Sequence, residues 1–409
     1  MIKKTTFRNL FNCLFAVLLV LIWLMPVSES KGVLSTQMNN RMYIFLCGLI
    51  VTSLVVEHIH SRRIVKRDFF LFVGAILLLL FFTVVGSIEY TNAEVGIREF
   101  AIYFSLFVVL STRYSYIEAN GFWRILFWLF STVIVISGIL MLINNEKVWD
   151  FFSTFYVNHL YYIYTEYKVS LKPVTFFAAH SISCFVYFMI YMLWEFCESK
   201  DHKVVAWIFK GLFVVLIVAC RNNSSLFCIA MILMYYIFRY SNRLTAKRLL
   251  TALVVGLAAV IAIFSNFNSI LSIVNSQGNG ILGRFTTAGA GNLVYDINYI
   301  ISGGVPTGVV FAPNLFYTDC GMLVYILRGG IILPLLIYVM LYRSLRFYLT
   351  DNFKVKYIFI CILGFEIGYA TLIAQRFLPL LLFFFLYNKS FNNNIRSFID
   401  EFDSKKDDK

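Results

Sequence analysis

The chain has 409 residues, of which 60% are hydrophobic and 14% charged, with a mean hydropathy of +0.78; that balance excludes an ordinary soluble domain. A net charge of +13 would suit a nucleic-acid partner, but the basic residues gather in short connections, as membrane orientation requires, and no nucleic acid is expected. The apolar runs, about 17–22 residues each, are long enough to cross a hydrocarbon core as helix, and they lack the alternation of barrel strands.

The expectation is therefore an all-α polytopic membrane protein, 1–409 forming one integral membrane domain with about twelve spans. In chain order these fall near 10–27, 41–58, 69–87, 94–111, 123–143, 176–196, 205–220, 225–240, 249–265, 318–342, 357–374 and 376–388. Lys3, Lys4 and Arg8 precede an apolar run from Phe11 to Val27. That is the order of a secretory signal, yet the many later spans favour an uncleaved first helix. Basic clusters recur at Arg62, Arg63, Lys66 and Arg67, at Arg239, Arg243, Lys247 and Arg248, and at Arg343, Arg346, Lys354 and Lys356. A polar tail, 389–409, follows. An even number of spans and this alternation agree on cytoplasmic termini, with the loops 144–175 and 266–317 facing outward. No internal repeat is visible, nor the matched pair of broken helices of many secondary transporters. The eight cysteines have no paired short spacing, so neither a disulfide framework nor a zinc site is expected.

Candidate chemistry lies in the outward-facing polar residues. The stretch from Asn266 to Gly330 is too polar and glycine-rich for a span, and it is expected to lie along the bilayer surface as the roof of a site. Before the next span its sole basic residue is Arg284, in GILGRFTTAGAG, where flanking glycines allow close backbone approach to a ligand. Arg221, in the short turn ACRNNSSL, is either a snorkelling helix-end arginine or a forked phosphate contact. Asp319 is either a helix-start residue favoured by capping and dipole or a general base. Lys172 and His180 stand in KPVTFFAAHSISCFVYF: the lysine as a second phosphate contact or an interfacial anchor, the histidine as cavity lining or packing. Arg376 is a further phosphate candidate. Arg328 and Glu366, at similar depth in neighbouring spans, are expected to form a structural ion pair, with cavity lining as the alternative. There is no P-loop, no HExxH and no soluble nucleotide-binding domain, so an enzyme here would use an activated donor already held in the membrane.

Three stretches, KPVTFFAAH, CRNNSSLF and GRFTTAG…GVPTGVV…DCGMLVYILRGGI, resemble elements of the O-antigen polymerase and ligase superfamily, closer to Wzy-type polymerases than to ligases. The resemblance implies a GT-C-like, metal-independent glycosyltransferase without cofactor, in a bacterial cytoplasmic (inner) membrane, with its active site on the periplasmic face. Donor and acceptor would both be undecaprenyl-pyrophosphate-linked glycans. Membrane lipids would surround the enzyme, and a chain-length regulator is a candidate partner. Arg221 and Arg284 match arginines that hold the lipid-linked pyrophosphate. Asp319 falls where ligases carry a histidine, which points to a polymerase and leaves the base open between Asp319 and His180. A ligase, or a flippase for the same lipid-linked unit, are the rival readings.

Overall fold

The structure, a computed structural model, describes residues 4–25, 37–61, 66–90, 93–114, 117–119, 121–156, 161–177, 180–240, 320–374 and 377–389. The expected ninth span, the glycine-rich loop with Arg284 and Asp319, Arg376 and the polar tail lie outside the described residues. Among those described, every regular element is helical and none is a strand. In order they are α1 (Lys4–Leu24), α2 (Gln37–Ser61), α3 (Lys66–Tyr90), α4 (Ala93–Ser111), α5 (Gly121–Leu142), α6 (Glu146–Phe155), α7 (Tyr161–Val169), α8 (His180–Leu193), α9 (Lys203–Ala219), α10 (Asn223–Tyr240), α11 (Gly321–Gly329), α12 (Ile332–Tyr348) and α13 (Asn352–Gly368). The last, α14, is Phe377–Lys389. Phe7–Leu24, Gly121–Leu142 and Ser181–Glu198 are long and apolar enough to cross a membrane, and shorter apolar helices accompany them.

The outside of the bundle is as apolar as its inside. On α1, Leu10, Leu14, Leu18 and Leu21 are exposed at helical spacing, while Phe15, Leu19 and Ile22 between them are buried. On α5, Ile125, Leu129 and Ile136 face outward and Trp123, Phe127, Phe130 and Ile134 face inward. A water-facing helix would be polar on its outer stripe, and contiguous exposed apolar surface of this kind is suited to lipid.

Charge distinguishes the two ends. Where α5 begins, Arg124 reaches Asp201 at 2.8 Å and Glu198 at 3.3 Å; nearby, Arg239 at the end of α10 reaches Glu195 at 3.3 Å. Lys354 at the start of α13 lies over the ring of Phe196, 4.4 Å from its centroid. Arg113, between α4 and α5, donates to Ser344 near the end of α12 at 3.0 Å, and Lys389 at the end of α14 donates to the Tyr114 carbonyl. We call this the basic end. Here α8 runs on into a π-helical turn, Trp194–Glu198, a widened geometry that often accompanies special sites.

The expected tenth span, 318–342, is not one helix. It breaks at Gly330, whose φ of 62° and ψ of −175° lie in a region essentially reserved for glycine. The rings of Tyr325 and Tyr338 consequently come within 6.3 Å, where one unbroken helix would set the two residues about 20 Å apart along its axis. The preceding residue is constrained as well: a Cβ on Gly329 would fall 2.6 Å from Leu333. Gly330→Ala is expected to lower stability by about 1–3 kcal/mol, read as a fall in the thermal midpoint of the detergent-solubilised protein; an unchanged midpoint would show that the corner carries no strain. The connection 144–175 contains two helices, α6 and α7.

Candidate functional site at the end opposite the basic charges

The connections at the other end hold all four non-glycine residues with positive φ among the described residues: Asn144 (57°), Leu171 (51°), Thr175 (41°) and Arg221 (48°). Such conformations are costly and persist where the surroundings impose them. Asn145 starts α6, its Oδ1 accepting from the Val148 amide at 3.3 Å. Trp149 then ties α6 to α5 by donating to the Met141 carbonyl at 3.1 Å, and Phe152 meets Phe176 edge-on at 4.9 Å. Between α7 and α8 the chain forms a strap from Lys172 to Phe177. Ser183 donates to the Val174 carbonyl at 2.9 Å and Tyr187 to the Pro173 carbonyl at 2.9 Å. The Thr175 hydroxyl lies 3.0 Å from that of Tyr187.

The strap is docked on the turn that carries Arg221. Cys220 directs its thiol at the Pro173 carbonyl, 3.8 Å away, so Lys172 and Arg221 each adjoin one partner of the same contact. The turn is closed by its neighbours: Asn222 Oδ1 accepts from the Ser225 amide at 2.7 Å, and Ser225 Oγ donates back to the Asn222 carbonyl at 2.6 Å. These bonds start α10 and leave Arg221 exposed at the rim. Lys172 is half-buried, with Nζ 4.0 Å from Glu166 and 5.8 Å from the ring centre of Tyr167. Arg221 itself, and Leu171 and Thr175 near Lys172, have positive φ, and guanidinium and ammonium groups are the usual contacts of a polyvalent anion. His180 is the first residue of α8, directly after this strap.

Glu366 also belongs to this end. Its neighbour Phe365 stacks on Phe185 of α8 at 4.0 Å and meets Phe227 of α10 edge-on at 5.5 Å. The carboxylate is buried. Oε1 accepts from the Thr371 hydroxyl at 2.8 Å and the Leu372 amide at 2.7 Å. Oε2 lies against the start of α11, so that a Cβ on Gly321 would fall 2.0 Å from it. Arg328 is buried too, but at the other end of α11, about 10 Å along the axis from Gly321. Among the described residues no ion pair joins Arg328 to Glu366. Glu366 stands two residues from the end of α13, beside the start of α11, whereas Arg328 is next to last in α11.

A second polar cluster, at the basic end, escaped the reading of the sequence. Lys210 and Glu195, only 5% and 6% exposed, pair at 2.7 Å. Tyr236 donates to the same carboxylate at 3.0 Å, and Tyr191 lies 2.9 Å from Tyr236. One turn on, Glu198 accepts from Trp128 Nε1 at 3.3 Å and from the Tyr387 hydroxyl. The π turn thus binds α5, α9, α10 and α14 through two carboxylates. Its signal was present as charges embedded in apolar runs, WEFCES and IFKGLF.

Comparison of the chain with protein-family models, with curated proteins and with solved structures finds no match.

Proposed function

We propose that the protein is a bacterial inner-membrane glycosyltransferase that polymerises undecaprenyl-pyrophosphate-linked repeat units into a surface polysaccharide. The observation that carries this reading is the Arg221 turn docked on the Lys172 strap through the Cys220–Pro173 contact, at the end away from Arg113, Arg124, Arg239, Lys354 and Lys389. By the positive-inside rule a basic end is a cytoplasmic one, which supports a periplasmic Arg221. In this reading Arg221 and Arg284 hold the donor's pyrophosphate, with Lys172 and Arg376 beside them. A hydroxyl of the incoming unit attacks the donor's anomeric carbon, and undecaprenyl pyrophosphate departs with the bonding electrons. Fixed guanidinium groups in a site of low dielectric stabilise the charge that develops on that leaving group. Asp319, with His180 as the second candidate, is the base that the sequence suggests.

The test is a surface-polysaccharide gel from cells lacking the gene. A lost ladder with a surviving core-plus-one-unit band is the expected result. Loss of every unit would identify a flippase or ligase instead, and an unchanged ladder would refute the reading.

A further inference from the structure

Among the described residues, three buried polar atoms from three consecutive helices make no hydrogen bond of good geometry: Glu366 Oε2 on α13, the Tyr325 hydroxyl on α11 and the Tyr338 hydroxyl on α12. They are neighbours. The two tyrosine rings are 6.3 Å apart, and the Glu366 carboxylate bears on both hydroxyls, near enough to that of Tyr325 to serve as its acceptor. Native interiors rarely leave polar atoms unsatisfied, and such atoms commonly await a guest. Here the unsatisfied set is one acceptor and two donor-acceptors, the complement of an alcohol. The other carboxylate oxygen is pinned by Thr371 and Leu372, so the group's orientation is set in advance. Gly321 supplies no side chain above it; any Cβ there would collide with Oε2 and with the Ala370 backbone.

Resting on the polymerase reading, we infer that this cluster receives the acceptor sugar's attacking hydroxyl and that Glu366, in place of Asp319 or His180, is the base that deprotonates it. The hydroxyl donates to Oε2, and Tyr325 donates to the hydroxyl oxygen. As the oxygen forms its bond to the donor's anomeric carbon, its proton passes to Oε2. The bond from that carbon to the pyrophosphate oxygen breaks, and the electron pair leaves with the lipid pyrophosphate. Burial among aromatic rings removes water that would otherwise compete for the same carbon. Entry requires α11 to swing about its Gly330 corner, an excursion suited to a nine-residue helix ending in two glycines.

The experiment uses the full chain in liposomes, supplied with lipid-linked repeat units, and measures chain extension and thermal midpoint together. Glu366→Gln keeps Oε1 for Thr371 and Leu372 but has no basic oxygen; extension should fall by roughly 10²–10⁴-fold with KM and midpoint little changed. Tyr325→Phe removes only the hydroxyl that faces Glu366, and roughly tenfold slower extension with little change in stability is expected. Glu366→Gln extending chains within about threefold of wild type, or losing activity only through raised KM, overturns the inference while sparing the polymerase reading. Should Glu366→Gln fail to fold, wild-type rates in Tyr325→Phe overturn it equally. Wild-type protein that extends no chains overturns both.

Discussion

Arg221→Gly should abolish chain extension in a protein that is at least as stable as the wild type. Two observations made independently of each other lead there. The side chain is exposed at the rim, and the turn is closed by Asn222 and Ser225 rather than by the guanidinium, so removing it breaks no hydrogen bond on which the fold depends. Its φ of 48° is costly for any residue with a Cβ, and glycine relieves about 1 kcal/mol of that strain. Against this, loss of one preorganised cation facing the leaving group lowers turnover by roughly 10²–10³-fold. Arg221→Ala should show the same loss of rate without the gain in stability. Arg221→Lys retains the charge but loses the planar fork, and an intermediate rate is expected. Extension assays on purified variants beside thermal unfolding in detergent would check all three. An active Arg221→Gly protein would return Arg221 to the bland role of a helix-end anchor.

The largest effect on stability is expected from Lys210→Met. The ammonium group is 5% exposed and lies 2.7 Å from Glu195, and its removal leaves that carboxylate with Arg239, at 3.3 Å, and Tyr236. Breaking one side of a buried pair costs about 3–5 kcal/mol, mostly through the charge left behind. Adding Glu195→Gln should restore much of the loss, because the second change removes the stranded charge. Denaturant unfolding of the two single variants and the double variant gives the coupling directly. A loss under about 1 kcal/mol for Lys210→Met would place the pair among ordinary surface ion pairs.

The helices were legible in the sequence because a run of twenty apolar residues has few other uses. Helix is found in each expected span that falls among the described residues, with the tenth broken at Gly330 and the eleventh ending at Gly368. What the pattern hid was Gly330: a glycine pair inside an apolar run reads the same whether the helix passes through it or turns there. Of the site, Arg221 and Lys172 were found because positive charge is scarce on that face, but their connection through Cys220 and Pro173 joins residues 47 apart in the chain and has no sequence signature. Glu195, Glu198 and Lys210 were passed over because each was counted as the fraying end or interior of a span. An ionisable residue inside an apolar run warranted the attention given to Arg328 and Glu366.

The Lys210–Glu195 pair also bears on how the chain enters a bilayer. A lone lysine or glutamate delivered into hydrocarbon costs about 2.5–3.5 kcal/mol on insertion scales. The two residues stand on consecutive helices, 15 positions apart, so α8 and α9 can leave the ribosome and fold back on one another before either faces lipid alone. Delivered as a hairpin, the charges enter the hydrocarbon together and already neutralised. Biogenesis would then proceed in helical pairs, and a long polar insert in the turn at 199–202 should impair assembly more than the same insert before α5.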